Sequence, residues 1–254
     1  LGQGDCVILL LYSLERIHTT RTKLSAHSLL ITHYYSSYWN TVANHYNTKP
    51  AMKIICIGRN YADHARELDN PVPVKPVFFL KPDTALLFKN KPFFYPDFSH
   101  EIHYETEIVL KISRLGKRIQ KQYAHRYYEE IGIGIDFTAR DLQNACKKEG
   151  HPWEIAKAFD QSAAIGKFVP KSSLPDPASV NFQLDLNDKP VQKGNTRDLL
   201  FSFGELISYV SIFMTLKTGD LIFTGTPAGV GPVKPGDHLV ASVEGQAMLD
   251  FWIK

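Results

Sequence analysis

The chain has 254 residues, enough for one large domain or a domain with a tail, and at 44% hydrophobic and 22% charged it has the composition of an ordinary globular protein. Its formal charge of +3 is small and its Lys and Arg residues are scattered, which leaves no electrostatic footprint for nucleic acid. The longest apolar run, Val7 to Tyr12, falls far short of the roughly 18 residues a membrane span needs, and Cys6, Cys56 and Cys146 lie too far apart to form a disulfide framework, which fits a reducing, cytoplasmic setting.

Residues 1–51 differ from the rest. They are rich in Tyr, His, Ser and Thr, contain no Met and keep no period of 2 or 3.6, whereas Met52 opens a clean apolar strand over Lys53 to Gly58. Three explanations compete for this leader: an over-extended start that translates upstream sequence, which we prefer; a targeting segment, which leaves organellar delivery open; and a real extra element. The compact domain is expected to run from Met52 to Lys254.

After the opening strand, Arg59 to Asn70 has the composition of a short helix ended by Asp69-Asn70 and the prolines that follow. Pro76 to Pro82 reads as a strand closed by proline, and Asn90 to Asp97 as a Pro- and aromatic-rich connection into a strand through His103 to Leu110. Ile131-Gly132-Ile133-Gly134-Ile135-Asp136 alternates strictly, and its glycines mark a strand that another backbone or a ligand approaches closely. Thr138-Ala139-Arg140-Asp141 has the form of a capping box opening a helix to about Lys148, stopped by Gly150, so that Asp136 sits at a strand-to-helix junction. Turns at Thr218-Gly219-Asp220 and Lys234 to Asp237 separate strands over Leu221 to Thr224, His238 to Val243 and Ala247 to Ile253. Many short strands with few helices predict a mixed α+β fold dominated by a curled sheet.

Several patterns carry chemistry. On a strand, Glu105 and Glu107 point to the same face, roughly 7 Å apart at Cα. Their mutual repulsion is relieved either by solvent on an open sheet face or by a hard divalent cation, Mg²⁺, Mn²⁺ or Ca²⁺ rather than zinc. Asp136 by itself reads as a helix cap or as a third ligand. His64 and Glu67, spaced i, i+3, form either a solvated surface pair or a general-base dyad in which the carboxylate orients the imidazole. Arg140 and Gln143 share a helix face in the same way. The Gly225 to Gly231 loop superficially has the glycines of a phosphate cradle, but Pro227 and Pro232 interrupt it and no helix-forming run follows, which argues against nucleotide binding.

The chain from Met52 to Lys254 resembles the fumarylacetoacetate hydrolase superfamily, in particular its short acylpyruvase and oxaloacetate decarboxylase-like members. The motifs are Gly58 to His64, Phe79-Leu80-Lys81-Pro82, Glu105-Thr106-Glu107, Asp136 to Gln143, Pro152-Trp153 with Ala156-Lys157, and Thr224 to Gly231. The resemblance implies a mixed β-roll, usually a homodimer, with Mg²⁺ or Mn²⁺ held by Glu105, Glu107 and Asp136. It implies catalytic roles for His64, Glu67 and Lys157, substrate contacts at Arg59, Arg140, Gln143 and Thr226, and a lid carrying His64. His151 stands where relatives often carry an apolar residue. The activity implied is cleavage of a C–C bond in a small 2-oxo acid through a metal-stabilised pyruvate enolate, by acylpyruvate hydrolysis or oxaloacetate decarboxylation. The alternatives are isomerisation of an unsaturated 2-oxo dioate and a catalytically silent protein that binds metal or keto acid.

Overall fold

The computed structural model describes residues 52–67 and 71–254. The expectations for the leader, and for the end of the first helix at Asp69-Asn70, lie outside the described residues. Seven strands, β1 (Ile54–Gly58), β2 (Val77–Lys81), β3 (Leu86–Leu87), β5 (Thr106–Ile112), β6 (Tyr128–Asp136), β8 (Ala163–Pro170) and β11 (Leu221–Phe223), form one sheet in the order β2-β1-β11-β5-β6-β8-β3. It is mixed: β1 runs parallel to β11 and β3 to β8, while the other neighbours are antiparallel. A four-stranded antiparallel sheet follows the order β10-β9-β13-β14, from β9 (Asn181–Leu186), β10 (Lys189–Asn195), β13 (His238–Val243) and β14 (Gln246–Trp252). A third, three-stranded sheet sets β4 (Ile102–Tyr104) between β12 (Gly231–Pro232) and β7 (Thr138–Ala139). Four α-helices complete the described fold: α1 (Ala62–Glu67), α2 (Arg140–Glu149), α3 (Glu154–Lys157) and α4 (Phe203–Phe213). The architecture is the mixed α+β arrangement that the sequence predicts.

Period-2 alternation sorts the long sheet's side chains onto two faces. Ile108, Leu110 and Ile112 of β5 and Ile131, Ile133 and Ile135 of β6 join the main core with Leu184, Leu239, Leu249 and Phe251 of the four-stranded sheet. The opposite face carries a smaller core that includes Ile54, Cys56, Val109 and Phe223. Glu107 shares the parity of Val109, and Asp136 that of Gly132 and Gly134, so both carboxylates belong to the face of the smaller core. The glycines of β6 serve that face. A Cβ on Gly134 would lie 2.6 Å from the Phe223 ring and 2.8 Å from the Ala164 carbonyl oxygen, and one on Gly132 would lie 2.8 Å from the Phe168 ring.

Two local expectations need correction. The run through the Glu-x-Glu motif is two strands, because the chain leaves the three-stranded sheet at Tyr104 and enters the long sheet at Thr106. Glu105 is the link, held by a 2.8 Å hydrogen bond from the Asp136 N–H to its carbonyl oxygen. The capping box at Thr138 to Asp141 does not form, since Thr138 and Ala139 pair with His103 and Ile102 in extended conformation and leave Ala139 as the N-cap without a side-chain bond. Tertiary pairing outweighs a cap that contributes about 1 kcal/mol. Gly150 does end α2, in the left-handed region at φ 71°. The capping box is instead at Ser202 and Glu205, opening α4.

Candidate metal centre

Strand β1 and the loop beyond it shape one wall of the centre. Asn60 is fully buried, and its amide donates to the carbonyl oxygens of Phe201 at 3.0 Å and Thr224 at 2.8 Å while accepting from the Phe201 N–H at 2.8 Å. This ties the β1–α1 loop to the segment after β11. Gly225 there adopts φ 105°, and a Cβ would lie 2.7 Å from that of Asn60. Only glycine combines that conformation with that contact, and the Gly225 N–H is thereby aimed at Glu107, donating to Oε2 at 2.6 Å.

Glu105, Glu107 and Asp136 converge, with ligand atoms all within 4.8 Å of one another, and each is at most 6% exposed. Lys157 Nζ bridges two of them, donating to Glu105 Oε2 at 2.9 Å, Asp136 Oδ2 at 2.8 Å and the Thr138 hydroxyl at 2.5 Å. Arg140 Nη2 donates to Glu105 Oε1 at 2.5 Å, and its Nη1 to Gln143 Oε1 at 2.6 Å. Lys81 Nζ donates to Ser162 Oγ at 2.9 Å and to the Lys157 carbonyl oxygen, which fixes the short helix α3. It also lies 2.8 Å from Asp136 Oδ1, but out of hydrogen-bonding alignment, and that buried oxygen accepts no hydrogen bond.

The electrostatics differ from one carboxylate to the next. Burial opposes ionisation of Glu105, but the Lys157 and Arg140 cations outweigh it and hold the group well below the usual carboxylate range. Glu107 has no cation of its own. Burial, reinforced by the Asp136 carboxylate, pushes it well above that range, against the opposing bond from Gly225. Burial also works against the Lys157 ammonium, yet Asp136 and Glu105 more than compensate and raise its pKa, so Lys157 is a fixed cation at neutral pH. An all-oxygen donor set with one orphaned carboxylate oxygen and one carboxylate strained toward its neutral form fits a hard divalent ion.

His64, on α1, is 5% exposed; its Nδ1 lies 3.3 Å from Glu67 Oε2, and Glu67 Oε1 accepts from the Gly229 N–H at 3.0 Å. The carboxylate thus pins both α1 and the loop after β11. With Nδ1 donating to Glu67, Nε2 is the basic nitrogen. A cleft of about 420 Å³, counted to its open mouth, brings together Arg59, His64, Glu105, Glu107, Asp136, Arg140, Gln143, Lys157 and Thr226; Glu67 stands behind His64. Thr226 lines the cleft, where its hydroxyl donates to the Thr106 carbonyl oxygen at 2.9 Å and accepts from Gln192 Nε2 at 2.9 Å. His151 lies outside the cleft lining, exposed beside Glu149.

Sequence reasoning gave no role to four neighbours. Lys81 is 2% exposed beside Asp136, and Phe79, Trp153 and Lys147 line the cleft. Phe79 and Trp153 pack edge to face with ring centroids 6.2 Å apart. A lysine in the apolar run Val77 to Lys81 was the available signal for the first, and the Pro152-Trp153 motif for the aromatic wall.

A family model described as fumarylacetoacetate (FAA) hydrolase C-terminal matches residues 53–253. The mitochondrial oxaloacetate tautomerase FAHD1 of Bos taurus is 41% identical over 201 residues, covering 79% of this chain and 91% of that protein. The oxaloacetate tautomerase YcgM of Escherichia coli (strain K12) is 38% identical over 200 residues, covering 78% and 91%. Among solved structures, the fumarylpyruvate hydrolase from Pseudomonas aeruginosa in complex with Mn²⁺ and pyruvate aligns with a TM-score of 0.76 at 36% identity, covering 82% of this chain and 93% of that one.

Proposed function

The chain belongs to the fumarylacetoacetate hydrolase family, and from that membership and the geometry of the cleft we propose that it is a divalent-metal-dependent enzyme interconverting the keto and enol forms of a small 2-oxo acid of the oxaloacetate type. The observation that carries the reading is the pairing, in one cleft, of a carboxylate-oriented imidazole, His64, with a buried fixed cation, Lys157. Glu105, Glu107 and Asp136 would hold Mg²⁺ or Mn²⁺, as the relative solved with Mn²⁺ and pyruvate supports. When bound, such an ion supplies Lewis-acid stabilisation of developing negative charge on oxygen.

The chain's own residues do the rest. His64 Nε2 removes a proton from C3 of the 2-oxo acid, the C–H electron pair becomes the C2–C3 double bond, and negative charge moves onto the C2 oxygen. Glu67 holds the imidazolium that results. The Lys157 ammonium stabilises the enolate oxygen electrostatically, and its contacts with Glu105 and Asp136 keep it positioned before the charge appears. Proton return to oxygen gives the enol; return to carbon regenerates the ketone.

A second reading is hydrolysis of an acylpyruvate, favoured by the same dyad. In it, His64 removes a proton from water instead, and the attack cleaves the C3–C4 bond to release pyruvate as its enolate. Decarboxylation of oxaloacetate would use the enolate stabilisation alone. The test follows the enol's ultraviolet absorbance and pyruvate release from oxaloacetate and from an acylpyruvate, with Mg²⁺ and then with EDTA. Enol decay abolished by EDTA and restored by Mg²⁺ is expected. In His64→Ala, proton transfer and hydrolysis should fall by roughly 10² to 10⁴ while decarboxylation falls less; Lys157→Ala should lower all three. Equal losses in His64→Ala would remove the base role.

A further inference from the structure

Lys147, on the cleft-facing side of α2, has no role in the chemistry above. It lines the cleft, and its Nζ sits 5.8 Å from the centroid of the Trp153 ring. Lys157 Nζ, among the carboxylates, sits 5.2 Å from the centroid of the Phe79 ring. Since Phe79 and Trp153 pack against each other, the two ammonium groups mark two ends of one aromatic wall, of which only the Lys157 end belongs to the metal centre.

The charges at the two ends are unequal. Glu105, Glu107 and Asp136 are offset by Lys81, Lys157 and Arg140, all within the buried network. Arg59 and Lys147 add two positive charges to the same cleft, and neither makes an ion pair with a carboxylate among the described residues. Arg59 reaches its place from the left-handed region, φ 58°, a conformation that costs a non-glycine residue roughly 1–2 kcal/mol and that neighbouring structure must enforce. Burial first, and then Arg140 and Arg59, lower the pKa of Lys147 against the opposing pull of Glu105. Two cations without carboxylate partners among the described residues, beside an apolar wall, have the chemistry to receive an anion.

We propose that Lys147, supported by Arg59, is the specificity-determining residue that binds the distal carboxylate of a 2-oxo diacid, at the end of the Phe79–Trp153 wall away from the carboxylate triad. This rests on the reading that the triad end takes the 2-oxo acid group. The substrate class is then dianionic, and a neutral acyl group at the same position is selected against, because it leaves Lys147 and Arg59 desolvated without a partner.

The test is a binding measurement on the full chain with saturating Mg²⁺, by calorimetry, using two probes. One is 2-oxopentanedioate, a diacid whose distal carboxylate is not β to the keto group and so is not lost by decarboxylation; the other is its C5 methyl ester, the same skeleton without the distal charge. The wild type should bind the diacid about tenfold to a hundredfold more tightly than the ester, the range for one charge-assisted hydrogen bond. Lys147→Met should bring the ratio close to unity, and Lys147→Arg should retain most of it. Thermal melts confirm that the variants fold. No preference in the wild type, no binding of either probe, or a Lys147→Met variant that weakens both equally, would overturn the proposal. A diacid preference lost in Lys147→Met in a protein that turns over no oxaloacetate would leave this site standing and overturn the tautomerase reading instead.

Discussion

Glu107 is the residue on which the electrostatic cost of the site is concentrated. Its neighbour Glu105 has two cations at hydrogen-bonding distance, whereas Glu107 receives only the Gly225 N–H and faces Asp136. The two groups therefore influence stability with opposite sign. Glu107, with its folded-state pKa raised, contributes stability below the unfolded carboxyl range that is lost as pH rises through the folded value; Glu105, with its pKa depressed, contributes stability above that range that is lost as pH falls through the folded value. In EDTA at neutral pH, Glu107→Gln should raise stability by about 1–3 kcal/mol, the scale on which a badly satisfied buried group destabilises a fold. Glu105→Gln should lower it by about 3–5 kcal/mol, because Arg140 and Lys157 lose a buried partner. Urea unfolding of the two variants with and without Mg²⁺ checks both signs, and Glu107→Gln should also lose most of its Mg²⁺ affinity by calorimetry. A Glu107→Gln protein less stable than wild type in EDTA would show that Glu107 is well satisfied without an ion.

At the scale of elements, α4 illustrates how a local signal acts. Ser202 and Glu205 make a reciprocal capping box, and Glu205 also accepts from Lys121 at 2.8 Å. The bonds from Lys121 and Ser202 bring the Glu205 pKa down from 4.5 to about 2. A depressed carboxyl stabilises the fold above its unfolded pKa and loses that contribution as pH falls from 4.5 toward about 2. Glu205 is 39% exposed, so the effect belongs at the cap scale of about 1 kcal/mol rather than at the full value of the shift. Glu205→Gln should accordingly be less stable than wild type by about 1 kcal/mol near neutral pH, with the gap narrowing below pH 4.5 and closing only near pH 2. Denaturant midpoints at the two pH values measure this, and a gap that persists in acid would assign the helix start to packing instead. In β6 the same scale works through absence: the missing side chains at Gly132 and Gly134 let Phe168 and Phe223 close over the strand that ends in Asp136.

At the scale of the whole molecule, the carboxylate triad sits where separate sheets join. Glu107 belongs to the seven-stranded sheet, Glu105 to the link from the three-stranded sheet, and Asp136 to the end of β6. An ion that draws these three together stabilises the assembly and not one element. Magnesium should therefore add about 2.7 kcal/mol of stability at a hundredfold excess over Kd, so that the melting temperature climbs with the logarithm of its concentration. Differential scanning calorimetry over a Mg²⁺ series checks it, with Ca²⁺ and Mn²⁺ as comparisons. A flat response would mean that the triad is held by Lys81, Lys157 and Arg140 alone. Among the described residues no helix is long and apolar enough to cross a membrane, in line with the short apolar runs of the sequence.

By itself the sequence determined the α+β class, most strand positions, the alternation of β6 and the residue types of the centre. These depend on period, on turn chemistry and on side chains whose chemistry is distinctive wherever they stand. The i, i+3 spacing of His64 and Glu67 already contained their 3.3 Å contact, because a helix makes such pairs neighbours. The tertiary structure decided what no local pattern encodes. It broke the Glu-x-Glu run at Glu105, since pairing partners from two different sheets compete for one chain, and it overrode the Thr138 cap by drawing Thr138 and Ala139 into β7. It also separated the fates of three lysines around the centre. Lys81, Lys157 and Lys147 look alike as letters, yet one fixes a helix, one bridges two carboxylates and one stands without an ionic partner among the described residues, because burial and the company of charge come from segments far apart in the chain.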